Sequence, residues 1–143
     1  MAGKNKIESG FRILWNTQDL SGDLIAGSLN GGGVILDQVE MTGVSNTIRN
    51  YLRGHGSAPV TARFHMNDTA TSGAFTALNA ATQATLTLQY GSAGVAPTAG
   101  DPEWEGVYVH FGFQPVVDAG RFVMEVTFQP AAGQTAPAWG VYA

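Results

Sequence analysis

The sequence predicts a mainly β fold, an antiparallel β-sandwich or partial barrel of about seven strands with one flanking α-helix. Three observations carry this. Apolar and polar residues alternate with a period of two over several stretches, most cleanly in the second half of the chain. Turn formers such as Asp118, Ala119 and Gly120 separate two of these stretches. Helical spacing breaks the alternation in only two places.

The first three candidate strands are Phe11 to Trp15, Asp23 to Leu29 and Val34 to Met41. Between the second and third stands "SLNGGGVILD", with three consecutive glycines, Gly31, Gly32 and Gly33. A dinucleotide cradle needs Gly-x-Gly-x-x-Gly opening a helix, because the helix N-terminus holds the pyrophosphate. Here Leu36 stands where the last glycine would be, "VILDQVEM" reads as a strand, and no Gly-Lys-Ser or Gly-Lys-Thr occurs. The run is therefore expected to be a flexible hairpin loop between two strands.

Further on, "SNTIRNYLRG" aligns Ile48, Tyr51 and Leu52 and stops at Gly54, a candidate C-cap. It is expected to be one or two helical turns, or a loop. "VTARFHMN" returns to alternation, with Val60, Ala62, Phe64 and Met66 inward and His65 outward. "DTATSGAFTALNAATQ" lines Ala74, Phe75, Leu78 and Ala81 along one stripe, which predicts a helix of about three turns capped by Asp68, Thr69 or Ser72.

Strand "ATLTLQY" places Ala84, Leu86, Leu88 and Tyr90 inward. A Gly/Ala/Pro connection from Gly91 to Glu103 follows, expected to be mobile. "GVYVHFGFQ" then puts Val107, Val109, Phe111 and Phe113 inward and His110 outward, and "RFVMEVTFQ" puts Phe122, Met124, Val126 and Phe128 inward. These two strands are expected to form a hairpin through "VVDAG". The chain reads as a single domain over residues 11–130, with an N-terminal arm, 1–10, and a C-terminal tail, 131–143. Trp139 and Tyr142 in that tail are costly to leave in water and useful at interfaces.

Composition narrows the function. Only 13% of residues are charged, below the roughly 25% usual in soluble proteins, so part of the surface is expected to be covered by a partner. Seven basic against eleven acidic residues give a net charge of −4, which argues against affinity for nucleic-acid phosphates. No basic residue lies between Arg12 and Arg49, where Asp19, Asp23, Asp37 and Glu40 all occur. No apolar run is long enough for a membrane span, and the start "MAGKNKIESG" lacks the apolar core of a secretory signal.

Catalytic signatures are missing. Cysteine is absent, so thiolate chemistry and disulfides are excluded. His55, His65 and His110 have no metal-site spacing, no Gly-x-Ser-x-Gly elbow occurs, and Asp101, Glu103 and Glu105 in "DPEWEG" read as a solvated acidic loop beside Trp104. No enzyme, cofactor or metal is expected.

The order of features in "DLSGDLIAGSLNGGGVILDQVEMTGVSNTIRNYLRGHGSAPVTARFHMND", "TSGAFTALNAATQATLTLQYG" and "WEGVYVHFGFQPVVDAGRFVMEVTFQPAAG" resembles the tail tube (major tail) proteins of long-tailed bacteriophages, over roughly residues 11–133. The resemblance implies a virion protein, assembled in the host cytoplasm, that forms homohexameric rings stacked into a tube for genome delivery. It implies contacts with terminator, tape measure and distal tail proteins, transient passage of DNA without specific binding, and no membrane.

Four strands from each of six subunits, at about 4.8 Å spacing and tilted, close to a backbone diameter on the order of 40 Å, wide enough for duplex DNA. On this reading Asp23, Asp37 and Glu40 are candidates to face a negative lumen. Gly31, Gly32, Gly33, Arg49, Arg53, Asp101, Glu103, Trp104 and Trp139 are candidates for contacts between subunits or rings. A capsid decoration or tail-completion protein is the alternative, and a monomeric ligand-binding β-domain a further one.

Overall fold

The computed structural model describes residues 10–25, 27–91 and 95–143. Eleven antiparallel strands and one short helix run along the chain: β1 (Phe11–Trp15), β2 (Gln18–Asp19), β3 (Asn30–Gly31), β4 (Ile35–Glu40), β5 (Tyr51–Ser57), β6 (Val60–His65), α1 (Ala74–Ala80), β7 (Gln83–Tyr90), β8 (Pro102–His110), β9 (Pro115–Asp118), β10 (Arg121–Pro130) and β11 (Ala138–Val141). Nine strands make one sheet in the order β2-β1-β7-β8-β10-β6-β3, with β11 added on β8 and β9 on β10. β4 and β5 pair only with each other.

The nine-stranded sheet rolls over on itself, which makes it the expected sandwich or partial barrel. Trp15 on β1 stands 5.1 Å from Phe128 on β10, although the two strands are not neighbours in the sheet. The segment after β2 carries the wall around towards β6. The Leu20 amide donates to the Ile13 carbonyl, the Ile25 amide to Arg63, and the His65 amide to Asp23. Of the strand expected from Asp23 to Leu29, this leaves a turn and a single bridge between Leu24 and Phe64; residue 26 lies outside the described residues.

Alternation sets the core. Phe11, Ile13 and Trp15 of β1, Val60, Ala62 and Phe64 of β6, Leu86 and Leu88 of β7, and Met124, Val126 and Phe128 of β10 are buried together, so the phases of these strands agree with the pattern, except that Met66 and Phe122, expected inward, are exposed past the edge of the core and Val123, expected outward, is buried. β8 has the opposite phase. Trp104, Tyr108 and His110 are buried there, while Val107 and Val109 are half-buried and Phe111 is exposed.

The reason is hydrogen bonding. The Trp104 Nε1 donates to the Tyr108 hydroxyl at 2.9 Å, and that hydroxyl donates to the Ala58 carbonyl at 2.8 Å. His110 Nε2 donates to the Leu78 carbonyl at 2.7 Å, and Nδ1 accepts from the Gly112 amide at 3.1 Å. Polar tips with partners can be buried at little cost, so the aromatic phase outcompetes the two valines.

The helix is shorter than its spacing suggests, because residues 68–73 form a turn with Thr71 at φ 69°. Its N-cap, Gly73, offers no side chain. Asp23, fifty residues upstream in the barrel wall, accepts from the Ala74 amide at 3.0 Å and from Asn67 Nδ2 at 3.0 Å. At the other end the Leu78 carbonyl receives His110, and the Ala81 carbonyl receives Trp15 Nε1 at 3.1 Å. Core side chains thus satisfy terminal groups that a helix leaves open.

Two connections also differ. The turn at Asp118, Ala119 and Gly120 is present, with φ of 50° and 79° at the last two, but it joins β9 to β10. β8 and β10 do pair, over Tyr108 to His110. Residues 131–143, expected as a tail, supply β11, where Trp139 pairs with Trp104 in register. The Tyr142 amide and carbonyl bond Asp101 and Gly100, which ties the end of the long connection down; residues 92–94 of that connection, and the expected arm except Gly10, lie outside the described residues.

Candidate interaction surface

Residues 51–57, expected to end a short helix, form a strand instead. Helical spacing of Ile48, Tyr51 and Leu52 is overridden because β5 finds a partner in β4, with Val39 opposite Leu52 and Glu40 opposite Tyr51. Between Leu36 and Gln38 the register shifts, with Gly54 and His55 of β5 opposing Asp37 alone, so the bulge lies on β5. The result is a two-stranded ribbon standing off the main sheet.

The ribbon is amphipathic. Ile35, Val39 and Leu52 share one face, with Asp37 between the first two. Gly54 stands beside Asp37 and Val39 without a side chain of its own, which leaves Val39 standing clear. Gln38, Arg53, Glu40 and Tyr51 occupy the other face, with Leu36 beside Gly56 at its base. Val34, Ile35, Val39, Met41, Val44, Ile48, Tyr51 and Leu52 are all exposed. A two-stranded hairpin is marginal in water by itself, and this much uncovered apolar surface marks an interaction site.

The root of the ribbon is rigidly mounted. On the incoming strand, Gly31, Gly32 and Gly33 have φ of 135°, 89° and 90°. A Cβ on Gly31 would stand 2.5 Å from the Pro59 carbonyl, one on Gly32 would collide with the Tyr90 hydroxyl, and one on Gly33 would meet Trp139 at 3.3 Å. On the outgoing strand, the Ala58 carbonyl is held by Tyr108, with Trp104 behind it. The expected flexible loop is therefore a close-packed joint. Tyr90, Trp139 and Trp104 form a chain of rings beneath it, 5.6 and 5.1 Å apart.

The candidate residues separate into groups. Asp37, Glu40, Arg49 and Arg53 lie exposed on the ribbon or its tip. Gly31, Gly32, Gly33 and Trp139 meet at its root. Trp104, only 1% exposed, is a core residue with no surface left for a neighbour, and its role is to support that root. Asp101 is also buried, accepting from the Thr98 amide at 2.8 Å. Glu103 accepts from Gln89 Nε2 on the sheet face.

Asp23 is set apart from Asp37 and Glu40 by its capping duty. The root's second anchor, Tyr108, is missed by the alternation pattern, because β8 has the inverted phase. Among the described residues, no group of three or more potential ligands stands ready to hold a metal ion, and no helix is long and apolar enough to cross a membrane.

The fold is shared with solved chains of an extracellular contractile injection system and of an anti-feeding prophage. The chain is similar to one in the anti-feeding prophage cap (AFP tube terminating cap), at a TM-score of 0.63 and 11% identity over 99% of this chain and 95% of that one. It is similar to one in the sheath/tube terminator of the extracellular contractile injection system PVC, at 0.61 and 17%, over 92% and 93%. A chain of the PVC sheath-tube complex in its extended state gives 0.59 and 16%, over 94% and 90%. No protein-family model and no curated protein matches the sequence.

Proposed function

We propose that this protein is a structural subunit of a tail-like tube, assembling with copies of itself into hexameric rings that stack around a channel for the genome. The observation that carries the reading is the β4–β5 ribbon, an apolar arm with a rigid root and nothing among the described residues to cover it. The shared fold supports it, since the similar chains come from sheath-tube, terminator and tube-cap assemblies. Terminator, tape measure and distal tail proteins are the further partners proposed, within the virion, and no catalysis is assigned.

Within that reading Glu40 is the channel-lining candidate. Asp37 is set aside because it stands on the opposite face of the ribbon, beside Val39, and Asp23 because its carboxylate is engaged by Ala74 and Asn67. A ring that ends a tube is the second reading, favoured by similarity to chains from a terminator and a cap.

Negative-stain electron microscopy of the purified protein tests both. Stacked tubes support the first reading, and single rings that cap tubes without growing support the second. A strictly monomeric species at high concentration overturns both. Glu40→Lys is expected to leave assembly intact but make tubes retain DNA in a salt-dependent manner; unchanged retention removes Glu40 from the lumen.

A further inference from the structure

A second uncovered apolar surface lies at the opposite end of β6 from the ribbon. The ribbon joins the main sheet beside Val60, where Gly31 pairs with it. At the other end of β6 the Met66 amide donates to the Phe122 carbonyl, continuing the register beyond His65, and Phe122 is in turn paired with Val117 on β9.

Directly paired residues share a sheet face, and residues two apart along a strand do as well. Phe122 and Met66 therefore continue the face on which Met124 and Phe64 are buried. Past the edge of the core nothing covers them: Phe122 is 59% exposed, Val117 68% and Met66 39%. The charges of this region sit on the reverse face, where Asp118 bonds Arg63 at 3.4 Å and lies 4.0 Å from Arg121. The hairpin is thus held in place by ion pairs on one side and left wholly apolar on the other.

The geometry points to Met66, Val117 and Phe122 as the docking surface for the apolar face of the ribbon, Val39 and Leu52, of a second copy of this chain. This rests on the tube-subunit reading and names the surface that the arm grips. The chain's own ribbon does not fill the role: it leaves the sheet about 20 Å away along β6, at roughly 3.3 Å per residue, and Val117 and Phe122 stay exposed. Two different patches, one at each end of the same strand, are what a head-to-tail contact requires; a two-fold contact would use one self-complementary patch. Each copy brings one arm and one receptor, so a ring whose rotation closes seats every arm.

Two variants and one crosslink test this. Phe122→Glu, at an exposed position, is expected to fold with an unchanged melting temperature and to lose rings, and Leu52→Glu to do the same. Mixed together, they are expected to give dimers and nothing larger, because the intact arm of one fits the intact receptor of the other.

Since the chain has no cysteine, Leu52→Cys with Phe122→Cys in one chain is expected to give an oxidation ladder ending at the ring size. Rings that persist in folded Phe122→Glu, or rings of the double cysteine variant that give no ladder, overturn the receptor while leaving the tube reading standing. A wild-type protein that never assembles overturns both.

Discussion

The indole of Trp139 lies against the backbone of Gly33, so closely that a Cβ on the glycine would meet Cζ2 at 3.3 Å. The contact joins β11 to the start of the ribbon and sets the direction in which the ribbon leaves the sheet. Trp139→Ala removes the ring from between Tyr90 and Trp104. Each aromatic pair contributes about 0.5–1.5 kcal/mol beyond its buried area, so a modest loss of stability is expected. Hydrogen exchange should show the larger effect, with faster exchange in Ile35–Glu40 and Tyr51–Ser57 and little change in β6 or β10.

Gly32→Ala tests the joint from the other side. Alanine at φ 89° is strained, at about 1–3 kcal/mol, and its methyl group strikes the Tyr90 hydroxyl. Denaturant unfolding should show a loss of at least that size. Pairing it with Tyr90→Phe should recover part of the loss, leaving the backbone strain.

Tyr108→Phe removes one hydroxyl and orphans two buried groups, Trp104 Nε1 and the Ala58 carbonyl. Unsatisfied buried groups cost about 1–3 kcal/mol each, far more than the volume change suggests. A drop in melting temperature with an intact β-sheet circular dichroism spectrum at low temperature is the expected result. No change would mean that water replaces the hydroxyl.

Asp23→Ala deprives the helix of its cap and Asn67 of its partner. A cost of about 0.5–2 kcal/mol is expected, with Asp23→Asn keeping part of the interaction through its amide oxygen. Thermal unfolding monitored by circular dichroism separates the three proteins.

Burial, with Tyr108 adding to it, pushes the Tyr90 phenol up to about 12, and burial raises Tyr108 as well. An unfolded tyrosine ionises near pH 10. Above that pH the unfolded chain gives up a proton that the folded chain retains, so ionisation favours unfolding. The stabilisation is therefore whole below about pH 10 and declines as the pH rises towards 12. Chemical denaturation across this range should show the decline, and Tyr90→Phe should flatten it.

Strand phases were legible wherever only one parity was apolar, as in β6 and in the Leu86 and Leu88 stretch of β7. They failed in β8, because Val107 and Val109 compete with Tyr108 and His110, and the partners that favour the latter, Ala58 and Leu78, are remote in sequence. The ribbon was half legible: β4 was read as a strand, while Gly54 in β5 passed for a helix cap.

Acidity alone grouped Asp23 with Asp37 and Glu40, and nothing local announces a cap for a helix fifty residues downstream. The strand read after the glycine run is present as β4, while the run itself, expected to be flexible, is packed against Tyr90 and Trp139, both remote in sequence. Trp139 was noted as an interface residue from its chemistry, without any sign that it underlies the arm.

Gly33 and Trp139 lie near opposite ends of the described chain, and closing so long a loop costs entropy that only a nearly finished fold can offset. β11 can dock only after β8 has found its place, so the ribbon acquires its fixed direction late. A half-folded chain consequently carries the sticky arm without its aim. In the proposed ring, an arm that is aimed only after β11 has docked would make joining a neighbour wait on the completion of folding.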